Sequence, residues 1–318
     1  MKETIQTMLK GAAMGVAEVI PGVSGGTLAF ITGIYERLLN AISAINVDLI
    51  NVFKDGGVKA VWQKMDGTFL VKLLSGMALG FILGLKIIVG LLETHPVLIW
   101  SFFFGLILAS IPMIGKEVKK WGLLEMVLAI VGTVLVYWVT VAAPSQGSEH
   151  LLMVFVAGVI GVSALMLPGL SGSFVLLLMG MYTIIMPAVE ESTHNPFGPS
   201  TIVVIVFGVG MIVGLLSFAR VLTFTFKKYP NPTMALLTGF LIGSLNKVWP
   251  WQQVLETRIN SKGVEKVLFS ESVLPSTFTK LSENFLYGND PHLGGATILM
   301  LVAIGIIYLM NKYSVKAS

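Results

Sequence analysis

Twice this chain breaks an apolar run with the same element. Pro21-Gly22-Val23-Ser24-Gly25 interrupts the apolar stretch 11–45, and Pro168-Gly169-Leu170-Ser171-Gly172 interrupts 151–190. In hydrocarbon each unpaired backbone N–H or C=O costs several kcal/mol, so a broken helix survives only where protein or a wet cavity satisfies it. The surrounding chain is built for lipid. Hydrophobic residues make up 55% and charged residues 12%, against about 25% charged in soluble domains, and the mean hydropathy is +0.85. There are no cysteines, which excludes a disulfide framework, a thiol nucleophile and a cysteine metal site. Lys2 and Lys10 precede an apolar stretch as in a signal peptide, but Glu18 interrupts it and Pro21-Gly22 follows, so the segment is expected to stay in the mature protein.

A helical span needs about 20 apolar residues. Six segments meet or approach this: 69–92, 96–115, 122–141, 201–226, 232–249 and 296–311. Lys and Arg gather in cytoplasmic loops, and this orients the broken stretches. If both are re-entrant, one side receives Lys2, Lys10, Arg37, Lys54, Lys59, Lys64, Lys116, Lys119, Lys120, Lys227, Lys228, Lys312 and Lys316. The other side receives 93–95, 142–150 and 188–200, which hold no Lys or Arg, and a mixed-charge external loop, 250–295. A spanning reading of either stretch would destroy this partition. The sequence therefore predicts an all-α polytopic protein of the cytoplasmic (inner) membrane, with two re-entrant hairpins, six spans and both termini cytoplasmic.

The chain also repeats itself. PGVSGGTLAFITGIY (21–35) aligns with PGLSGSFVLLLMGMY (168–182), pairing Ser24 with Ser171, Gly33 with Gly180 and Tyr35 with Tyr182. Gly76, Gly80, Lys86, Pro96, Gly105 and Ser110 align at constant spacing with Gly210, Gly214, Arg220, Pro230, Gly239 and Ser244. Each half, 1–145 and 146–318, reads as one re-entrant helical hairpin plus three transmembrane helices. Three spans are an odd number, so the second half lies upside down: an inverted repeat, common in secondary transporters. Gly76, Gly80 and Gly84, and Gly210 with Gly214, form small-residue faces suited to close helix packing.

The chemistry should lie at the breaks. A helix restarting after each tip presents free N–H groups and the positive end of its dipole, an anion-binding arrangement. Gly22, Gly25, Gly26, Gly169 and Gly172 leave those amides uncovered, and Ser24, Thr27, Ser171 and Ser173 add hydroxyls. Lys86 and Arg220 match across the repeat, one toward each leaflet, where each could meet a phosphate. Arg37, near the cytoplasmic exit, could bind headgroup phosphate or follow the positive-inside bias. Glu18, whose counterpart is Leu165, could couple transport to a proton or cation, or bond amides of its own hairpin. Gly22-Val23-Ser24-Gly25-Gly26 fits the nucleophile elbow literally, but the strand-to-helix turn, histidine and acid that elbow requires are missing. The four histidines lack metal-ligand spacing and there is no P-loop. No catalytic residue, metal, cofactor or nucleic-acid partner is expected.

The paired motifs, PGVSGGTLAFITGIYERLL and ALMLPGLSGSFVLLLMGMY, resemble the bacterial PopT-type polyprenyl-phosphate transporters, first catalogued as a domain of unknown function. DedA-type proteins are similar in role and also use paired re-entrant hairpins. The resemblance implies a translocase returning undecaprenyl phosphate, the lipid carrier of cell-wall precursors, from the outer to the cytoplasmic leaflet. With the inverted repeat and the paired tips, the expected mechanism is alternating access, with the phosphate held between the two tips and the prenyl tail left in lipid. A small-anion transporter or channel would use the same tip chemistry. A membrane lipid phosphatase would need clustered acids or a histidine at the site.

Overall fold

The computed structural model describes residues 2–20, 23–259, 265–281 and 290–314. Pro21 and Gly22, the corner of the first break, lie outside the described residues. Apolar runs become long helices: α5 (Gly67–Thr94), α6 (Pro96–Gly115), α7 (Leu123–Val141) and α11 (Pro199–Lys228) are each long and apolar enough to cross a membrane. The other two predicted spans are shorter. The apolar part of α14 (Leu293–Ser314) is Leu293–Leu309, and α12 (Pro230–Ser244) has 15 residues. α12 stops short of 249 because the chain turns at Asn246, whose side-chain amide donates to Thr140 Oγ1 at 2.8 Å. Many large apolar side chains on α5, α7 and α11 face outward, among them Ile82, Leu83, Ile130, Val134, Ile205 and Ile212. Lipid is the solvent that makes such surfaces favourable. The protein is a multi-pass membrane protein.

The chain divides into two compact units, each drawing on both ends of the sequence. The first unit comprises Met1–Lys86 and Ser145–Thr233. Within it the predicted hairpins are α1 (Lys2–Glu18), α2 (Gly25–Ile31) and α3 (Tyr35–Ser43), then α8 (Leu151–Met166), α9 (Gly172–Leu178) and α10 (Tyr182–His194). Each hairpin thus carries a second break. Gly33 and Gly180 adopt φ of +71° and +67°, the left-handed region that side chains with a Cβ avoid, and α10 leaves α9 at 113°. An extended strap pins the second of these breaks: Ser145 N and Oγ donate to Leu178 O at 2.7 and 2.8 Å.

Close helix contacts follow the repeated glycines. A Cβ on Gly76 or Gly80 would lie 2.1 Å from Met8 O or 2.0 Å from Ala12 O, seating α5 on α1. A Cβ on Gly210 or Gly214 would lie 2.3 Å from Phe155 O or 2.7 Å from Val159 O, seating α11 on α8. The charged connection that holds Lys54, Lys59 and Lys64 contains α4 (Asp48–Lys64), with no buried residue and a kink at Gly57.

The second unit comprises Ile87–Pro144 and Met234–Ser318. Here Gly105 on α6 brings α14 close, its Cβ direction 2.5 Å from Met300 O, while Gly239 on α12 faces Ala129 O of α7 at 2.1 Å. The segment expected to be an external loop, 250–295, holds an antiparallel pair, β1 (Gln252–Ile259) and β2 (Glu265–Ser272), followed by the short helix α13 (Pro275–Phe278). Trp249, Trp251, Phe278 and Val97 close a small apolar core beneath it.

Candidate functional site

The two breaks meet in the first unit. Ser24 Oγ donates to Leu165 O at 2.8 Å, Gly169 N donates to Thr27 Oγ1 at 2.9 Å, and Tyr35 Oη donates to Met166 O at 2.7 Å. Carbonyls 165 and 166 are those a continuing helix would have used, so the first tip satisfies the backbone that Pro168 leaves open. Ser24, Thr27 and Ser171 are 1%, 1% and 4% exposed, so these bonds lie inside protein. Gly26 lets the tips touch: a Cβ there would sit 2.7 Å from Leu165 O and 2.9 Å from Met166 O.

The tips differ in how their helix starts are capped. At α2, Gly25 N donates to Glu18 Oε1 at 2.6 Å and Gly26 N donates to Ser24 Oγ at 3.0 Å. A carboxylate of the chain therefore sits on the first amide of the first tip's helix. At α9, Ser171 makes no side-chain cap. Its hydroxyl is hydrogen-bonded instead to Ser173 Oγ at 2.9 Å, and Ser173 is exposed. Leu165 stands where the first half has Glu18, and among the described residues no carboxylate is hydrogen-bonded to the start of α9.

Three predicted cations have different surroundings. Arg37 is held at 2.6 Å from Asp66 and 3.5 Å from Glu3, with its guanidinium 4.4 Å from the centre of the Phe69 ring. It ties α3 to α1 and the start of α5, away from the tips. Arg220 donates to Ile45 O at 2.8 Å, just beyond the C-terminal end of α3, where helix carbonyls lack partners and a cation is favoured. Its other donors have no hydrogen-bond partner among the described residues. Lys86 is exposed on α5 and makes no hydrogen bond or ion pair among the described residues. Sequence reasoning assigned Lys10 only to loop charge. Its ammonium donates to Thr32 O at 2.7 Å, closing the end of α2. The register of Gly33 with Gly180 hinted at that second break, but not at the lysine that caps it.

The fold and the junction define a class: a multi-pass membrane protein organised around a buried junction of broken helices. A family model described as undecaprenyl phosphate translocase-like matches residues 14–266. A polyprenyl-phosphate transporter of Vibrio cholerae serotype O1 is 38% identical over 312 residues, covering 98% of this chain and 97% of that protein. A polyprenyl-phosphate transporter of Staphylococcus aureus is 30% identical over 257 residues, covering 76% of this chain and 85% of that protein. No solved structure matches the chain. The chain belongs to the undecaprenyl phosphate translocase-like family.

Proposed function

We propose that this protein is a non-enzymatic translocase of undecaprenyl phosphate, moving the lipid carrier from the outer to the cytoplasmic leaflet by alternating access. The observation that carries the reading is the buried junction of the two tips, where the Glu18 carboxylate takes the Gly25 amide of one helix start and Ser171 makes no side-chain cap at the other. The phosphate binds at the junction. Ser171 and Ser173 rotate their mutual hydrogen bond toward it, and Gly169, Gly172 and Thr27 border the same place. Ser24, Gly25 and Gly26 hold the first tip's geometry, and the proposed site extends to Gly22. A phosphate reaching the Gly25 amide must displace Glu18, so Glu18 couples binding to uptake of a proton or cation. Lys86 receives the headgroup from the outer leaflet, and Arg220 and Arg37 release it to the inner one. The prenyl tail stays in lipid.

The architecture that serves this is an inverted repeat of halves 1–145 and 146–318, each a re-entrant hairpin and three spans, in the cytoplasmic membrane with both ends in the cytoplasm. Matched left-handed glycines at 33 and 180, seven-residue helices after both tips and paired close contacts at Gly76/Gly210 and Gly105/Gly239 support it. Such repeats bind substrate near the midplane at broken helices.

Reconstitution tests the function. Liposomes holding the purified protein are expected to move undecaprenyl phosphate between leaflets while remaining closed to inorganic phosphate. Uptake of inorganic phosphate without lipid movement would replace the proposal with a small-anion transporter. Release of phosphate from a polyprenyl diphosphate would replace it with an enzyme.

A further inference from the structure

Between α3 and α11, within the first unit, lies a crevice of about 190 Å³ that the tip junction does not use. Leu39 and Phe226, both buried, form its floor; Glu36, Asn40, Thr223 and Lys227 form its walls. Glu36 and Lys227 carry opposite charges into the same small space and do not pair with each other. Among the described residues the ion pairs involve Arg37 with Glu3 and Asp66, and His292 with Asp290. We infer that this crevice binds the headgroup of a zwitterionic, primary-amine phospholipid from the surrounding bilayer, of the phosphoethanolamine type.

Charge complementarity selects the ligand. A phosphate monoester alone would meet the Glu36 carboxylate at close range, and a simple cation would meet Lys227; like charges at such distances are unfavourable. A ligand bearing an ammonium and a phosphodiester answers both. Its ammonium donates to the Glu36 carboxylate and the Asn40 side-chain oxygen, while its phosphate accepts from Lys227 and from the Thr223 hydroxyl, which turns from its long 3.4 Å bond to Ser43 Oγ. A quaternary ammonium has no N–H to give Glu36, and an anionic glycerol headgroup offers it hydroxyls but no positive charge. Depth selects the source. Lys227 lies in the last turn of α11, and its neighbour Lys228 stands 5.4 Å from the centre of the Phe224 ring and 5.5 Å from that of Tyr229. Exposed aromatics with a cation at the end of an apolar helix mark the headgroup level of a bilayer, so a headgroup in the crevice keeps its acyl chains in lipid.

The test uses full-length protein purified in detergent and native mass spectrometry, with phosphatidylethanolamine, phosphatidylcholine and phosphatidylglycerol as probes. Wild type is expected to retain one phosphatidylethanolamine about tenfold more strongly than either other lipid. Glu36→Gln and Lys227→Gln, changed at exposed positions, are each expected to erase that preference without altering the unfolding temperature. Equal retention of phosphatidylglycerol by wild type would overturn the inference with no variant needed. So would an unchanged preference in Glu36→Gln, or saturation by soluble phosphoethanolamine in place of the lipid. None of these readouts depends on transport.

Discussion

Gly26→Ala is expected to lower the thermal unfolding temperature markedly and to abolish lipid movement in liposomes. The new methyl would lie 2.7 Å from Leu165 O and 2.9 Å from Met166 O. Both obstacles are backbone carbonyls, held by Ser24 and Tyr35, so neither can turn aside as a side-chain end would. Overpacking of this kind costs about 1–3 kcal/mol, occasionally more, and here it also pries apart bonds that satisfy a broken helix. Gly208→Ala is the matched control. It lies in helix α11, a Cβ there meets nothing within 4 Å, and it is expected to leave both stability and transport unchanged. Normal transport by Gly26→Ala would show that contact between the tips is dispensable.

The double change Ser171→Ala/Ser173→Ala is expected to act in the opposite way, removing transport while sparing the fold. The two hydroxyls bond to one another, so taking both away leaves no buried partner stranded, and such paired removals are close to neutral for stability. A bound phosphate would lose two hydrogen bonds to a charged group, each worth about 1.5–3 kcal/mol. At about 1.4 kcal/mol per tenfold, transport at limiting lipid is expected to fall roughly 100-fold or more. A loss of stability equal to that of Gly26→Ala would instead assign the serines to holding the tip together.

Much of this arrangement is legible in the sequence because it rests on local constraints. Long apolar runs have one way to exist in lipid, and α6 covers the predicted 96–115 to the residue. The repeat also marks Gly33 and Gly180, although a glycine in an apolar run does not reveal its φ. Partners distant in the chain were hidden. Nothing near Arg37 foretells Asp66, 29 residues away, and nothing near Arg220 foretells Ile45 O, 175 residues away. Glu18 differing from Leu165 was visible. One of its two expected roles, bonding an amide of its own hairpin, is what the structure shows; that the amide is that of Gly25 was hidden, since the bond exists only once the chain has turned back on itself. The β1–β2 pair was missed because mixed charge and length read as a loop, and the antiparallel pairing of Gln252–Ile259 with Glu265–Ser272 carries no clean apolar alternation to mark it.

The central claim is that a lipid phosphate is held where the two tips meet. Its most direct test is a polyprenyl phosphate carrying a photoreactive group beside the phosphate, crosslinked to the full-length protein in membranes and mapped by peptide mass spectrometry. The label is predicted on Gly169–Phe174 and Val23–Leu28, with loss of both labels when unmodified undecaprenyl phosphate competes. Label confined to the exposed helix α4 or to the β1–β2 segment, with the tips unmarked, would contradict the account.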